Sequence, residues 1–201
     1  MRARMALLVA GIAFDAFEIV LREKPLAMLA LSPKGTVPVL LLPGGEILEE
    51  SWDIMRWALA GADCQGWWSA AQTTENRQLL ADNDGGFKQL LDRYKYPERF
   101  PETDRESNQE QALATFLRPL ERRLAESPML GGKQACATDL AVFPFVRQFA
   151  GVDLQSFAGL PLPALQGWLS KWGSSPLFAA CMFKMHNPSS FPPLSPDQFL
   201  V

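Results

Sequence analysis

The sequence of 201 residues has few of the side chains that catalytic and structural sites most often use. It contains one histidine, His186, and three cysteines, Cys64, Cys136 and Cys181, which lie far apart. No CxxC pair and no nearby histidine completes a zinc set, so we expect no metal site. A Ser-His-Asp or Cys-His mechanism would depend on His186, whose neighbours suggest no partner, and we interpret it as a surface residue.

Charge of one sign and long apolar runs are also scarce. The net charge of -3 gives no basic surface for nucleic acid. The longest apolar stretch, residues 5–14, is far shorter than the ~20 residues that cross a bilayer. An odd number of cysteines favours a reducing compartment. We therefore expect a soluble, cytoplasmic protein that binds neither nucleic acid nor membranes.

The first sixty residues alternate between helical and extended patterns. The predicted elements are a helix over 2–10, a strand over 17–21 (FEIVL), a helix over 24–31, a hairpin of strands over 36–42 and 46–50, and a helix that starts at Ser51. This order indicates a small α/β domain over residues 1–61.

From Gln72 onward the sequence carries helical periodicity and almost no strand signal. We predict a linker over 62–71, an all-helical domain over 72–186 and a proline- and serine-rich tail over 187–201. The predicted helices of the second domain cover residues 72–94, 107–125, 138–150, 162–172 and 177–184.

Val37-Pro38 interrupts an apolar strand, where proline cannot donate a ladder hydrogen bond. If their peptide bond is cis, the chain turns and presents the backbone of Val37 to an extended ligand. The alternative is an edge-strand proline without a binding role. The dipeptide alone does not decide between the two.

Glu50-Ser51 precedes the helix that follows the hairpin. Ser51 is well placed as its N-cap, and its hydroxyl and the first N–H groups of the helix would suit a ligand carboxylate. Glu50 would accept a hydrogen bond from a ligand ammonium group. The pair would thus hold the zwitterionic end of an amino acid. The alternative is that Ser51 only caps its helix and Glu50 is solvated.

The spacing of these two features resembles the glutathione transferase family. SPKGTVPVLLLPGGEILEESWDIMRWAL is similar to the second half of its thioredoxin-like N-terminal domain, and KQACATDLAVFPFVRQF to the core helix of its all-helical C-terminal domain. The resemblance extends from Met1 to about Lys184. It implies an α/β plus all-α fold class, in which the thioredoxin-like domain lacks its first strand.

The resemblance also implies glutathione as the co-substrate. Val37 and Pro38 would bind its cysteinyl backbone, and Glu50 and Ser51 its γ-glutamyl end. In the cysteine-type, omega-like branch, a lysine at the position of Lys24 helps to bind the glycyl carboxylate. A plain surface lysine is the alternative for Lys24.

In the second domain, Cys136 stands where the family usually has a serine or threonine N-cap, and Asp139 stands where an aspartate closes a capping box. A thiol is a weak acceptor, so this cap would contribute less than the usual ~1 kcal/mol. We interpret both residues as structural. Residues 82–96 would line the co-substrate site, or form an ordinary helix with a solvated face.

The reactive residue of the family follows its first strand, at the start of the first helix. MRARMALLVAGIAF resembles that helix, so we expect the strand and a catalytic cysteine upstream of Met1 and no catalytic residue in this chain. The stretch also has the outline of a signal peptide, which would make the protein secreted. Cleavage near Ala16 would remove a core helix, so we favour the first interpretation.

The function implied is glutathione binding, with thiol transfer, deglutathionylation or conjugation to an electrophile in the full-length form. The implied partners are a small electrophilic or disulfide substrate and a second copy of the chain. A catalytically inactive scaffold or regulatory interaction protein of the same fold is the alternative.

Overall fold

The computed structural model describes residues 1–61 and 63–183, and only the backbone of Cys64. The predicted tail over 187–201, His186 and the end of the last predicted helix lie outside these residues.

The described residues form two compact units. The first contains residues 1–65 and 175–183, and the second contains residues 66–174. The second unit begins inside the segment predicted as a linker. The last helix, predicted as part of the helical domain, groups with the first unit.

In chain order the helices and strands are α1 (Arg2–Val9), α2 (Leu26–Leu31), β1 (Leu40–Leu41), β2 (Ile47–Leu48), α3 (Ser51–Ala60), α4 (Thr74–Asp82), α5 (Lys88–Lys95), α6 (Arg105–Ala112), α7 (Arg118–Glu126), α8 (Ala137–Ala150), α9 (Leu154–Ala158), α10 (Pro163–Gly173) and α11 (Pro176–Met182). No helix in the described part of the chain is long and apolar enough to cross a membrane.

The core of the first unit lies between α1, α3 and α11. Ile54 and Ala58 of α3 are buried, and so are Met55 and Leu59, because apolar residues spaced three or four apart share one helix face. The hairpin pairs β1 and β2 antiparallel. Gly45 takes a φ of +87° in its turn, a conformation that glycine adopts without steric cost.

The predicted strand over residues 17–21 is wrong, because the structure gives this segment no regular secondary structure. Phe17 and Leu21 are 71% and 61% exposed. A strand is stabilised by hydrogen bonds to a neighbour, and the described residues contain only the two short strands of the hairpin. The hairpin strands are also shorter than predicted.

Two long helices dominate the second unit. A π-helical turn over Asn83–Phe87 joins α4 to α5, and another over Leu113–Leu117 joins α6 to α7. The second π-helical turn lies just before Pro119, which has no N–H to continue the ladder. Phe87 and Phe116 stack between the two helices with ring centroids 4.2 Å apart.

Helix α8 is the centre of this unit, and most of its residues are buried. The α9 helix was not predicted, since it is only five residues long; the Asp153 side chain caps it by accepting from Ser156 N at 2.9 Å.

Glu121 of α7 caps the N-terminus of α10 from another part of the chain. Its carboxylate oxygens accept hydrogen bonds from Ala164 N at 3.0 Å and Leu165 N at 2.7 Å. We expect Glu121→Ala to lower the free energy of unfolding by about 1–2 kcal/mol, the usual cost of losing a helix cap. Urea denaturation measures this loss, with Glu102→Ala, at an exposed position, as the control. Equal stability of the two variants would contradict the assigned cap.

Candidate functional site

The residues predicted to bind glutathione lie on one segment of the first unit, from Lys24 to the start of α3. The Val37–Pro38 peptide bond is cis. It lies two residues before β1, and Val37 is exposed.

Glu50 and Ser51 mark the start of α3, but their roles differ from the prediction. Glu50 is the N-cap residue, with extended backbone angles, and Ser51 is the first helical residue. The prediction that Ser51 is the N-cap is therefore wrong by one position. The Glu50 side chain makes no capping hydrogen bond. Within the described residues, the Ser51 hydroxyl has no hydrogen-bond partner either, so it is available to a ligand.

Three residues that the sequence interpretation missed connect this helix start to the turn after α2. The buried Ser32 hydroxyl donates a 2.5 Å hydrogen bond to Glu49 Oε1. Lys34 Nζ lies 3.4 Å from Glu49 Oε2 and 3.9 Å from Glu50 Oε1. The hydrogen bond from Ser32, together with Lys34, lowers the pKa of Glu49. We name Ser32, Lys34 and Glu49 the turn cluster. The sequence predicted SPKG, residues 32–35, only as a turn. The one sequence signal for the cluster was the pair of adjacent acids, Glu49 and Glu50, that follows β2.

Lys24 contacts the same turn. Gly35 has a φ of +62°, and a Cβ built on it would lie 3.5 Å from Lys24 Nζ and 3.1 Å from Leu29 Cδ2. Glycine suits this position because of its positive φ, and the 3.5 Å distance to Lys24 Nζ is that of an ordinary van der Waals contact. The structure therefore places Lys24 beside the turn that precedes Val37. Lys34, which belongs to that turn, contacts the Glu50 carboxylate.

Cys136 and Asp139 lie in the second unit, where a capping box joins them at the start of α8. Asp139 is fully buried and accepts three hydrogen bonds, from Cys136 N at 2.9 Å, Leu130 N at 3.0 Å and Trp168 Nε1 at 2.8 Å. Burial raises the pKa of Asp139, and the three donors act in the opposite direction. The carboxylate thereby links α8, the preceding loop and α10.

Burial also raises the pKa of the Cys136 thiol to about 12. Only the thiolate is a nucleophile, so on the order of one thiol in 10⁴ is ionised at pH 8. We expect Cys136 in the native protein to resist iodoacetamide at pH 8 and to react once the protein is unfolded in urea. Peptide mass spectrometry measures the modified fraction. Rapid labelling of Cys136 in the native protein would contradict this assignment.

The predicted co-substrate lining over residues 82–96 divides between core and surface. Phe87, Leu91 and Tyr94 are buried in the core of the second unit, and the Tyr94 ring packs 4.9 Å from that of Phe149. In the part of the chain that the structure describes, no group of three or more His, Cys, Asp or Glu side chains could hold a metal ion.

Comparison with known proteins identifies the fold. Residues 1–59 match the family model of the glutathione S-transferase N-terminal domain. A search of curated proteins found no match.

Several solved structures are similar to this chain over 90% of its length. BphK, a bacterial GST solved as a ternary complex, has a TM-score of 0.73 and 23% identity, covering 90% of this chain and 92% of its own. A glutathione transferase family member from Pseudomonas fluorescens pf-5, with two glutathione bound, has a TM-score of 0.73 and 18% identity, covering 90% and 86%. A glutathione transferase from Phanerochaete chrysosporium in complex with oxidized glutathione has a TM-score of 0.74 and 18% identity, covering 90% and 88%.

These likenesses establish the fold. The predicted fold class is confirmed: a thioredoxin-like N-terminal domain with a small sheet, followed by a mostly helical domain, as in glutathione transferases. The predicted resemblance to that family is confirmed with it.

Proposed function

We propose that this chain binds glutathione in its first unit, as a protein of the glutathione transferase type. The observation that carries the proposal is the start of α3. There the helix N-terminus has no side-chain cap, the Ser51 hydroxyl has no partner among the described residues, and the Glu50 carboxylate lies beside it. The α-amino acid end of a ligand carries a carboxylate, which the helix N-terminus and the Ser51 hydroxyl would bind. It also carries an ammonium group, which Glu50 would bind. The match of residues 1–59 to the transferase N-terminal domain supports glutathione as the molecule that carries this end.

The remaining contacts follow from the same segment. The Val37 backbone would pair with the cysteinyl part of glutathione, next to Pro38, and the Lys24 ammonium would contact the glycyl carboxylate. Each assignment places a charged or hydrogen-bonding group of the tripeptide on a group of opposite character.

Isothermal titration of the 201-residue chain with reduced glutathione tests the proposal. We expect saturable 1:1 binding per chain. Ophthalmic acid, in which a methyl group replaces the thiol, should also bind, because the contacts named above do not involve the sulfur atom. The absence of binding by both ligands would refute the proposal.

For the reaction, we propose thiol transfer or conjugation of glutathione to a small electrophile. Two substrates distinguish these reactions. Turnover of a mixed disulfide of glutathione would indicate thiol transfer, and turnover of an aryl halide would indicate conjugation. Homodimer formation and a cytoplasmic location are part of the same proposal, and sedimentation equilibrium measures the first.

One observation favours a second candidate, a glutathione-binding scaffold without turnover. Both cysteines whose side chains the structure describes, Cys136 and Cys181, are buried. A buried thiol cannot form a mixed disulfide with glutathione without local opening. Glutathione binding combined with no turnover of either substrate class would select this candidate.

A further inference from the structure

Residues 17–26 of the first unit carry four large apolar side chains that point into solvent. Phe17, Val20, Leu21 and Leu26 are each more than half exposed. Single exposed apolar side chains are common in folded proteins, whereas a group of them marks a surface that packs against something else. We name residues 17–26 the apolar segment.

The backbone of the apolar segment also has free donors. In the part of the chain that the structure describes, no N–H group from Phe17 to Arg22 donates a hydrogen bond. An extended chain that lies alongside can accept from such donors while its side chains cover the apolar ones. The segment therefore offers both kinds of group that receive an extended chain.

The described chain ends next to this segment. Arg4 of α1 connects the two, because its guanidinium group forms an ion pair with Glu18 and Nη1 donates to the Cys181 carbonyl of α11 at 3.5 Å. Phe183, two residues after Cys181, is the last described residue and is exposed. Glu18 and the end of α11 thus share one guanidinium group.

The eighteen residues that follow, 184–201, suit an extended covering chain by length and composition. At about 3.1 Å per residue they span about 55 Å, whereas residues 17–26 span at most about 36 Å. Four of the eighteen are proline, which fixes φ and so reduces the entropy lost on ordering. Phe191, Leu194 and residues 199–201 supply apolar side chains.

We propose that residues 184–201 return across the first unit and cover the apolar segment. Their apolar side chains pack against Phe17, Val20 and Leu21, and their carbonyl groups accept hydrogen bonds from the N–H groups of residues 17–22. This inference does not depend on glutathione binding. It assigns the exposed apolar surface to an occupant within the same chain.

Amide hydrogen exchange of the full chain measures whether the segment is covered. We expect residues 15–26 to exchange about tenfold more slowly than a synthetic peptide of the same sequence. Phe191→Ser/Leu194→Ser should remove most of this protection, because the covering chain loses apolar contacts. Ser189→Ala/Ser195→Ala changes two polar residues of the same eighteen and should retain it. Unchanged exchange over residues 105–126 in every sample verifies that the fold is intact.

Photo-crosslinking identifies the occupant. The photoreactive p-benzoylphenylalanine is incorporated in place of Phe191 in the full chain, and peptide mass spectrometry locates the residues to which it crosslinks. An equal mixture of isotope-labelled and unlabelled chains distinguishes crosslinks within one chain from crosslinks between two. We expect crosslinks to residues 15–26 of the same chain.

The other outcomes each overturn the proposal. If residues 15–26 of the unmodified chain exchange as fast as the free peptide, nothing in this chain covers the segment. Protection that Phe191→Ser/Leu194→Ser leaves unchanged would assign the cover to another part of the molecule. Crosslinks that join labelled to unlabelled chains would assign it to a second copy.

Discussion

We expect the replacement of Asp139 by alanine to lower the free energy of unfolding by about 3–6 kcal/mol, the sum of three buried donors left without acceptors at ~1–3 kcal/mol each, reduced by local relaxation. The donors are Cys136 N, Leu130 N and Trp168 Nε1, all within 3.0 Å of the carboxylate. Because Asp139 is fully buried, water cannot replace the lost acceptor without a change in packing. A loss of this size is a large fraction of the total stability of a typical domain, which is about 5–15 kcal/mol.

Urea denaturation followed by tryptophan fluorescence measures the effect, since Trp168 is one of the three donors. Asp139→Asn keeps the shape but presents an amide N–H₂ group to one donor, and we expect it to cost about 2–3 kcal/mol. Asp92→Ala removes a carboxylate that has no side-chain partner among the described residues, and it should change stability by less than about 0.5 kcal/mol. If Asp139→Ala were as stable as Asp92→Ala, the central role of this carboxylate would be wrong.

The double variant Glu50→Gln/Ser51→Ala is expected to weaken glutathione binding about 100-fold. Each substitution removes a hydrogen bond that involves a charged group, and each such loss lowers the affinity about tenfold. The two losses multiply because the two side chains bind different groups of the ligand. The fold should persist, because the Glu50 side chain does not cap α3 and the Ser51 hydroxyl has no partner within the described residues.

A second acid–serine pair supplies the control. Glu126 and Ser127 are adjacent at the end of α7 in the second unit, where the helix C-terminus offers no N–H groups to a carboxylate. We expect Glu126→Gln/Ser127→Ala to leave the glutathione affinity unchanged, as measured by the same titration. Equal affinities of the two double variants would show that the start of α3 does not hold the ligand.

The sequence was sufficient where structure is determined by neighbouring residues. The PGG turn with apolar residues on both sides predicted the hairpin, and the acid–serine pair predicted the start of α3 to within one residue. That difference of one residue changes the role of Ser51, from a cap that satisfies its own helix to a hydroxyl available to a ligand. Local pattern does not resolve such a difference, because cap and first-turn positions favour similar residues.

The sequence was insufficient where structure depends on distant residues. FEIVL has the composition of a strand, but a strand forms only beside a partner, and these five residues remain without regular structure. The hydrogen bond between Ser32 and Glu49 joins residues that are seventeen positions apart in the sequence. Asp139 accepts hydrogen bonds from Leu130 and Trp168, which lie on either side of it in the sequence. Neither cluster leaves a periodic signal in the sequence.

Amide hydrogen exchange of the full chain, with and without saturating glutathione, tests the central claim most directly. The account predicts that glutathione slows exchange in peptides that cover residues 32–54, which include the turn cluster, Val37 and the start of α3. Residues 105–126 should exchange at the same rate in both samples. Unchanged exchange over residues 32–54, or protection confined to other segments, would contradict the claim that this chain holds glutathione in its first unit.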